Sequence, residues 1–241
     1  MLPRLTRRFR VASFDARGHG RSGKPATGYG FDQVVDDVGR VVRAAGLRRP
    51  VVVGHSWGAM VALHLGARRS SITSGVVLID GGVGNLSGEM TWAQVREQLA
   101  PPHLAGMHVD EFRRLIPMFF GDAVDVTPQL EEIVLAVMHV DRQGRIRPRL
   151  SRANHLRILR EIWRQDHLAR HAELGVPALA ILAHGGGDPG WDAAKRAAAS
   201  SLRRSGTPTR FSWIEGIHDL PLQHPDALVR RVERFAATAV G

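Results

Sequence analysis

The sequence predicts an α/β protein: a mostly parallel sheet flanked by helices, interrupted by an inserted helical segment. Three observations carry this. Short β-branched runs alternate with amphipathic helical runs over residues 10–80 and again over 176–239. The stretch between them, residues 84–170, changes to a helical pattern with no convincing strand. Glycine-rich turns punctuate the strand-to-helix junctions. The expected organisation is one core built from residues 1–83 and 171–241, with 84–170 as a helical lid or cap.

Each element has its own signal. Residues 10–15, with Val11, Ala12 and Phe14, read as a short buried strand that runs into the turn Arg17-Gly18-His19-Gly20-Arg21-Ser22-Gly23. Phe31, Val34, Val35, Val38, Val41, Val42 and Ala45 recur at helical spacing, and Gly46 sits where that helix should stop. Residues 50–53 are too short and too β-branched for anything but a strand, 59–67 are Ala/Leu-rich and helical, and 75–80 form a further strand. In the insertion, helices are expected over 91–99, 109–120, 128–140 and 153–168. Alternation then resumes, with strands over 176–183 and 209–214 and helices over 193–204 and 225–239.

Bulk composition narrows the function classes. A chain of 241 residues with 44% hydrophobic residues can bury one sizeable core. The absence of cysteine excludes disulfides, thiolate metal sites and a Cys nucleophile, so a nucleophile must be Ser, Thr, Asp or Lys. The formal charge of +10 is almost all arginine, with only Lys24 and Lys195 as lysines, scattered through helices rather than gathered in a stripe. That pattern is a solvated surface, with no nucleic-acid partner expected. No apolar run reaches the roughly 18 residues a membrane span requires, and the first residues lack a signal-peptide core. The expectation is a soluble, cytoplasmic protein with no membrane partner.

The chemistry concentrates at Gly54-His55-Ser56-Trp57-Gly58. A Gly-x-Ser-x-Gly pentapeptide says little alone, but this one follows a strand and opens a helix, the setting of a nucleophile elbow. A Ser on so tight a turn projects its hydroxyl, and side chains at 54 and 58 are expected to clash where helix crosses strand. The helix N-terminus beneath Ser56 favours developing negative charge, and the Trp57 backbone N–H is a candidate oxyanion donor. A serine hydroxyl needs a base. Among twelve histidines, His218 is the best candidate, since it follows a late strand and gives the chain order Ser, acid, His. His55, His19, His184 and His224 read as structural.

Two further segments carry a family resemblance. Asp15-Ala16-Arg17-Gly18-His19-Gly20-Arg21-Ser22 resembles the Asp-x-Arg-Gly-His-Gly-x-Ser turn of many α/β hydrolases, and Gly216-Ile217-His218-Asp219 resembles their catalytic-His segment. The resemblance implies an α/β-hydrolase fold with a lid after the strand ending at Asp80, and a Ser-His-acid triad without metal or organic cofactor. It places the acid at Asp188, in His184-Gly185-Gly186-Gly187-Asp188, with Asp80 as the alternative position. It also implies that this chain is N-terminally truncated relative to the family, lacking strands and the loop that supplies a second oxyanion amide. The third family strand would lie between residues 10–15 and 50–53. Direct pairing, upstream residues or a strand from another chain could close that gap, so a dimer is left open.

The expected activity is hydrolysis of a small ester or related acyl substrate through an acyl-enzyme. A serine in the nucleophile position argues against dehalogenase and epoxide-hydrolase chemistry. An inactive or scaffolding α/β-hydrolase-like protein is the alternative, because losing one oxyanion donor typically costs about 10²–10³ in rate. Nucleotide binding is a minor alternative: Gly18 to Gly23 fits Gly-x-Gly-x-x-Gly, but Pro25, Gly28 and Gly30 delay the next helix to Phe31, away from any phosphate.

Overall fold

A computed structural model describes residues 1–239. In chain order the elements are α1 (Leu2–Leu5), α2 (Phe31–Ala44), β1 (Val51–His55), α3 (Trp57–Arg68), β2 (Gly75–Ile79), α4 (Leu86–Glu89), α5 (Trp92–Gln98), α6 (Val109–Phe120), α7 (Pro128–Leu135), β3 (Met138–Val140) and β4 (Ile146–Pro148). There follow α8 (Arg152–Arg164), α9 (His167–Ala172), β5 (Ala178–Gly185), α10 (Pro189–Arg204), β6 (Thr209–Gly216), α11 (Leu220–Gln223) and α12 (Pro225–Ala239). The main sheet has four parallel strands in the order β1-β2-β5-β6.

Burial on both sheet faces explains the composition of the strands. Every residue of β2 is buried. Val76 and Leu78 face one way, into a core with Ala59, Leu63, Ala180, Leu182 and Leu202 from α3, β5 and α10. Val77 and Ile79 face the other way, onto Leu228, Val229, Val232 and Phe235 of α12. Two-sided burial demands an unbroken apolar run in place of alternation, and each such side chain contributes about 1.5–3 kcal/mol. A further core joins α2, α3 and α8 through Phe31, Val34, Val38, Leu65, Ile158 and Ile162, which is the stripe that the 3.6-residue spacing of α2 marks out.

Two expectations are corrected. Residues 10–15 are not a strand: they form no ladder, and Phe14 is exposed. Strand propensity is realised only against a partner, and here the polar groups are spent elsewhere. Arg10 Nη2 donates to the Ala45 carbonyl, while Asp15 accepts from the Arg21 amide and the Ser22 hydroxyl within the following turn. As a result, among the described residues, β1 pairs only with β2 and is left as a sheet edge, with Val53 exposed. The insertion also contains strand. The helix expected over 128–140 stops at Leu135, and β3 and β4 form a small antiparallel pair that closes over Phe112, Ile116, Met138 and Ile146.

Candidate active site

The site begins with a backbone constraint. Ser56 bridges β1 and α3 at φ 55° and ψ −120°, a left-handed conformation that costs a non-glycine residue energy and persists only where its surroundings hold it. The Ser56 amide donates to the Ile79 carbonyl at 2.9 Å, tying the bend to β2. Gly54 is required because a Cβ there would lie 2.0 Å from the Gly58 carbonyl oxygen. Gly58 is different: a Cβ at that position meets nothing within 4 Å, so the expected clash is confined to position 54. Gly81 supplies clearance the sequence reading did not anticipate, since its Cβ would stand 2.3 Å from the Ser56 carbonyl oxygen.

The Ser56 hydroxyl is 2.9 Å from His218 Nε2, and His218 Nδ1 is 2.7 Å from Asp80 Oδ2. The parallel sheet creates this meeting: β1, β2 and β6 all finish at its C-terminal end, so the residues that follow them converge. Asp80, at φ 39°, is a second strained residue, and its amide donates to the Ile181 carbonyl at 2.8 Å. Its carboxylate is nearly inaccessible, with Oδ1 accepting from the Ala183 amide at 2.9 Å.

Asp188, the favoured acid by sequence, is not brought to His218. It is the N-cap of α10, where its Oδ1 accepts from the Gly190 amide at 2.6 Å and the Trp191 amide at 3.4 Å. Pro189 at the first helical position fixes the helix start there, and a capping carboxylate bound to its own helix is not free to orient an imidazole.

Electrostatics follow from these contacts. Burial opposes ionisation of Asp80, but the hydrogen bond from His218, the nearby Lys195 cation and the Ala183 amide together hold it below the ordinary carboxylate range. The hydrogen bond to Asp80 raises His218 above the ordinary histidine value against the effect of its burial. His55, set aside as structural by sequence, holds the site together: its Nε2 is 2.9 Å from the His218 carbonyl oxygen, and the two rings lie 4.8 Å apart. Burial, then the neighbouring His218, keep His55 below the usual range and therefore neutral. Trp57 and Gly58 occupy the first turn of α3, where backbone N–H groups have no intrahelical acceptor and are available to a ligand oxygen. The Trp57 ring stacks on His19 at 5.1 Å.

Apolar residues of the insertion divide between packing and surface. Met138 is core, Met118 and Phe119 are exposed, and Trp163 donates its indole N–H to the Met90 carbonyl at 2.8 Å. Trp92 lines a groove of about 800 Å³ together with Arg157 and Arg160, to which neither Ser56 nor His218 contributes.

Residues 1–122 match the family described as alpha/beta hydrolase fold. The chain belongs to the alpha/beta hydrolase family. Among curated relatives it is 36% identical over 80 residues to 2-(acetamidomethylene)succinate hydrolase of Mesorhizobium japonicum, covering 33% of this chain and 29% of that protein. It is 28% identical over 184 residues to a RutD protein of Klebsiella pneumoniae, to which carbamate hydrolysis is ascribed, covering 74% of this chain and 64% of that one. The matched stretches thus span less than two thirds of these relatives. Among solved structures, E-2-(acetamidomethylene)succinate hydrolase superposes with a TM-score of 0.78 at 21% identity, covering 97% of this chain and 84% of the other, a likeness of fold. Compared with the alpha/beta hydrolase fold, the sheet of the described residues carries fewer N-terminal strands, with four in all, and added helices surround it. Among the described residues no helix is long and apolar enough to cross a membrane.

Proposed function

We propose that the protein is a serine hydrolase acting on a small ester or related acyl compound, with Ser56 as nucleophile, His218 as general base and acid, and Asp80 as the orienting carboxylate. The observation that carries this reading is the continuous relay of Ser56 Oγ to His218 Nε2 at 2.9 Å and His218 Nδ1 to Asp80 at 2.7 Å. In the resting state the serine hydroxyl donates to Nε2 and the Nδ1–H donates to Asp80. As Oγ bonds to the substrate carbonyl carbon, its proton passes to Nε2, and the buried Asp80 stabilises the imidazolium so formed. The carbonyl oxygen takes up negative charge beside the Trp57 amide and the N-terminus of α3. Collapse expels the leaving group, which takes the proton from Nε2. Water then attacks the acyl-enzyme with His218 as base, releasing the acid and restoring Ser56.

The reading takes residues 84–170 as a lid whose helices α5 and α8 pack on the α2–α3 core, and residues 1–83 with 171–241 as the catalytic core. The names of the relatives, a succinate-derivative hydrolase and a carbamate hydrolase, are compatible with attack on a carbonyl. The open edge at β1, against which no further strand pairs among the described residues, favours one competing reading, a folded alpha/beta hydrolase without turnover. Labelling with a fluorophosphonate probe separates the two. Covalent labelling that disappears in Ser56→Ala supports the hydrolase; a folded protein that does not label, or labels equally after Ser56→Ala, overturns it.

A further inference from the structure

Lys195 is placed where the triad reading does not require a cation. Its ammonium projects from α10 to within 2.5 Å of the Ala183 carbonyl oxygen, 3.3 Å of Asp80 Oδ1 and 3.3 Å of Asp192 Oδ1. Its side chain is only 18% exposed, and the Asp80 side chain it touches is 5% exposed. Asp192 is fixed in turn by the Gly185 amide, which donates to its Oδ2 at 2.6 Å. The backbone on both sides of the contact is rigid, since Ala183 and Gly185 belong to β5.

This arrangement divides the labour of the Asp80 carboxylate. Oδ2 serves His218, while Oδ1 is held by the Ala183 amide and Lys195. The charge of the carboxylate is thus divided between an imidazole on one oxygen and an ammonium on the other. We propose that Lys195 is a positioning residue for the triad: it holds Asp80 Oδ1, the oxygen opposite the one that meets His218, and so shares the charge of that carboxylate with the imidazole. The proposal rests on the hydrolase reading above. It also gives a role to one of the chain's two lysines: its ammonium sits between two carboxylates and a carbonyl, each within hydrogen-bond or ion-pair reach.

The sign follows from the charges around His218. Asp80 after β2 and Asp219 beside it favour the imidazolium, while Lys195 from α10 opposes it; His55 from β1 faces the ring and is neutral. Asp192 opposes Lys195 in turn, with His184 near it. Neutralising Lys195 therefore leaves the carboxylates unopposed, and neutralising Asp192 leaves Lys195 directed at Asp80 alone. The two changes must move the titration of His218 in opposite directions.

The test is the pH dependence of fluorophosphonate labelling and of p-nitrophenyl acetate hydrolysis in the 241-residue wild type, Lys195→Gln, Lys195→Arg and Asp192→Asn. In Lys195→Gln the acid limb is expected to move up by about one pH unit, with kcat falling about tenfold and KM little changed. Lys195→Arg is expected to restore most of the limb position, and Asp192→Asn to move it down. A general loosening of the fold would move both neutral variants the same way, so parallel shifts, or an unmoved limb in Lys195→Gln with wild type active, overturn the proposal alone. If Lys195→Gln does not fold, an upward or absent shift in Asp192→Asn overturns it. Failure of the wild type to label at Ser56 overturns the triad reading, and this proposal with it.

Discussion

His218 and Asp80, 138 residues apart in sequence, meet through a 2.7 Å contact between Nδ1 and Oδ2, while Asp188, which lies closer in sequence to His218, is spent on capping α10. This relationship gives the two carboxylates separable roles. Asp80→Asn is expected to lower kcat by about 10³–10⁴, because the amide no longer fixes the productive tautomer of His218. Asp188→Ala is expected to leave kcat within about twofold and to reduce stability by about 1 kcal/mol through loss of the cap. Ester hydrolysis and urea unfolding of both variants decide this. A large loss of kcat in Asp188→Ala with Asp80→Asn still active would return the orienting role to Asp188.

The pH profile has a determined sign. Base catalysis needs neutral His218, and the hydrogen bond to Asp80, outweighing burial, holds its pKa above the ordinary 6.5. Activity should therefore rise with pH through a single step centred above 6.5 and stay high into the alkaline range. Measuring kcat/KM from pH 5 to 9 checks this; a wild-type midpoint below 6.5 would mean that burial dominates.

The glycines of the turn at Ser56 are not equivalent. Gly54→Ala drives a methyl into the Gly58 carbonyl and should cost several kcal/mol, more than the roughly 1–3 kcal/mol of ordinary overpacking, because backbone cannot yield as a side chain can. Gly58→Ala enters open space in the first turn of α3 and should be neutral or stabilising by up to about 1 kcal/mol. Thermal melts of the two variants give the comparison. Equal destabilisation would show that Gly58 is needed for more than helix formation.

A buried histidine pair predicts acid lability. His64 and His167 are fully buried, with His64 stacked on Phe31 at 4.0 Å and neither His64 ring nitrogen hydrogen-bonded. Burial pushes His64 down to about 3 and His167 down to about 4. Depressed histidines bind protons more readily in the unfolded chain, so stability is complete above about 6.5 and falls as pH drops from there towards 4. His64→Leu should hold or raise stability at pH 7 and flatten the decline between pH 6.5 and 4, as read by urea midpoints at each pH. An unchanged slope would remove His64 as a source of the acid sensitivity.

Much of this molecule is written locally. The helix Phe31–Ala44, the buried strand Gly75–Ile79 and the turn at Ser56 follow from spacing, β-branching and glycine placement, because each is fixed by neighbours within a few residues. The family membership was legible for the same reason, since the motifs that carry it are short and contiguous. Residues 10–15 show the opposite case. Their strand-like composition is satisfied only by a partner strand, and among the described residues none pairs with them.

What only the tertiary structure decided is which groups meet at the C-terminal end of the sheet. Sequence offered Ser56 and His218 as candidates from type and order, but it favoured Asp188 over Asp80 as their acid, and the carboxylate that meets His218 is Asp80. The choice depended on where α10 begins: a helix starting at Pro189 claims the Asp188 carboxylate for its own amides and carries Lys195 back over Ala183 to Asp80. Local patterns specify elements, while hydrogen bonds between residues far apart in sequence exist only once packing has set their distance, and those bonds define the site.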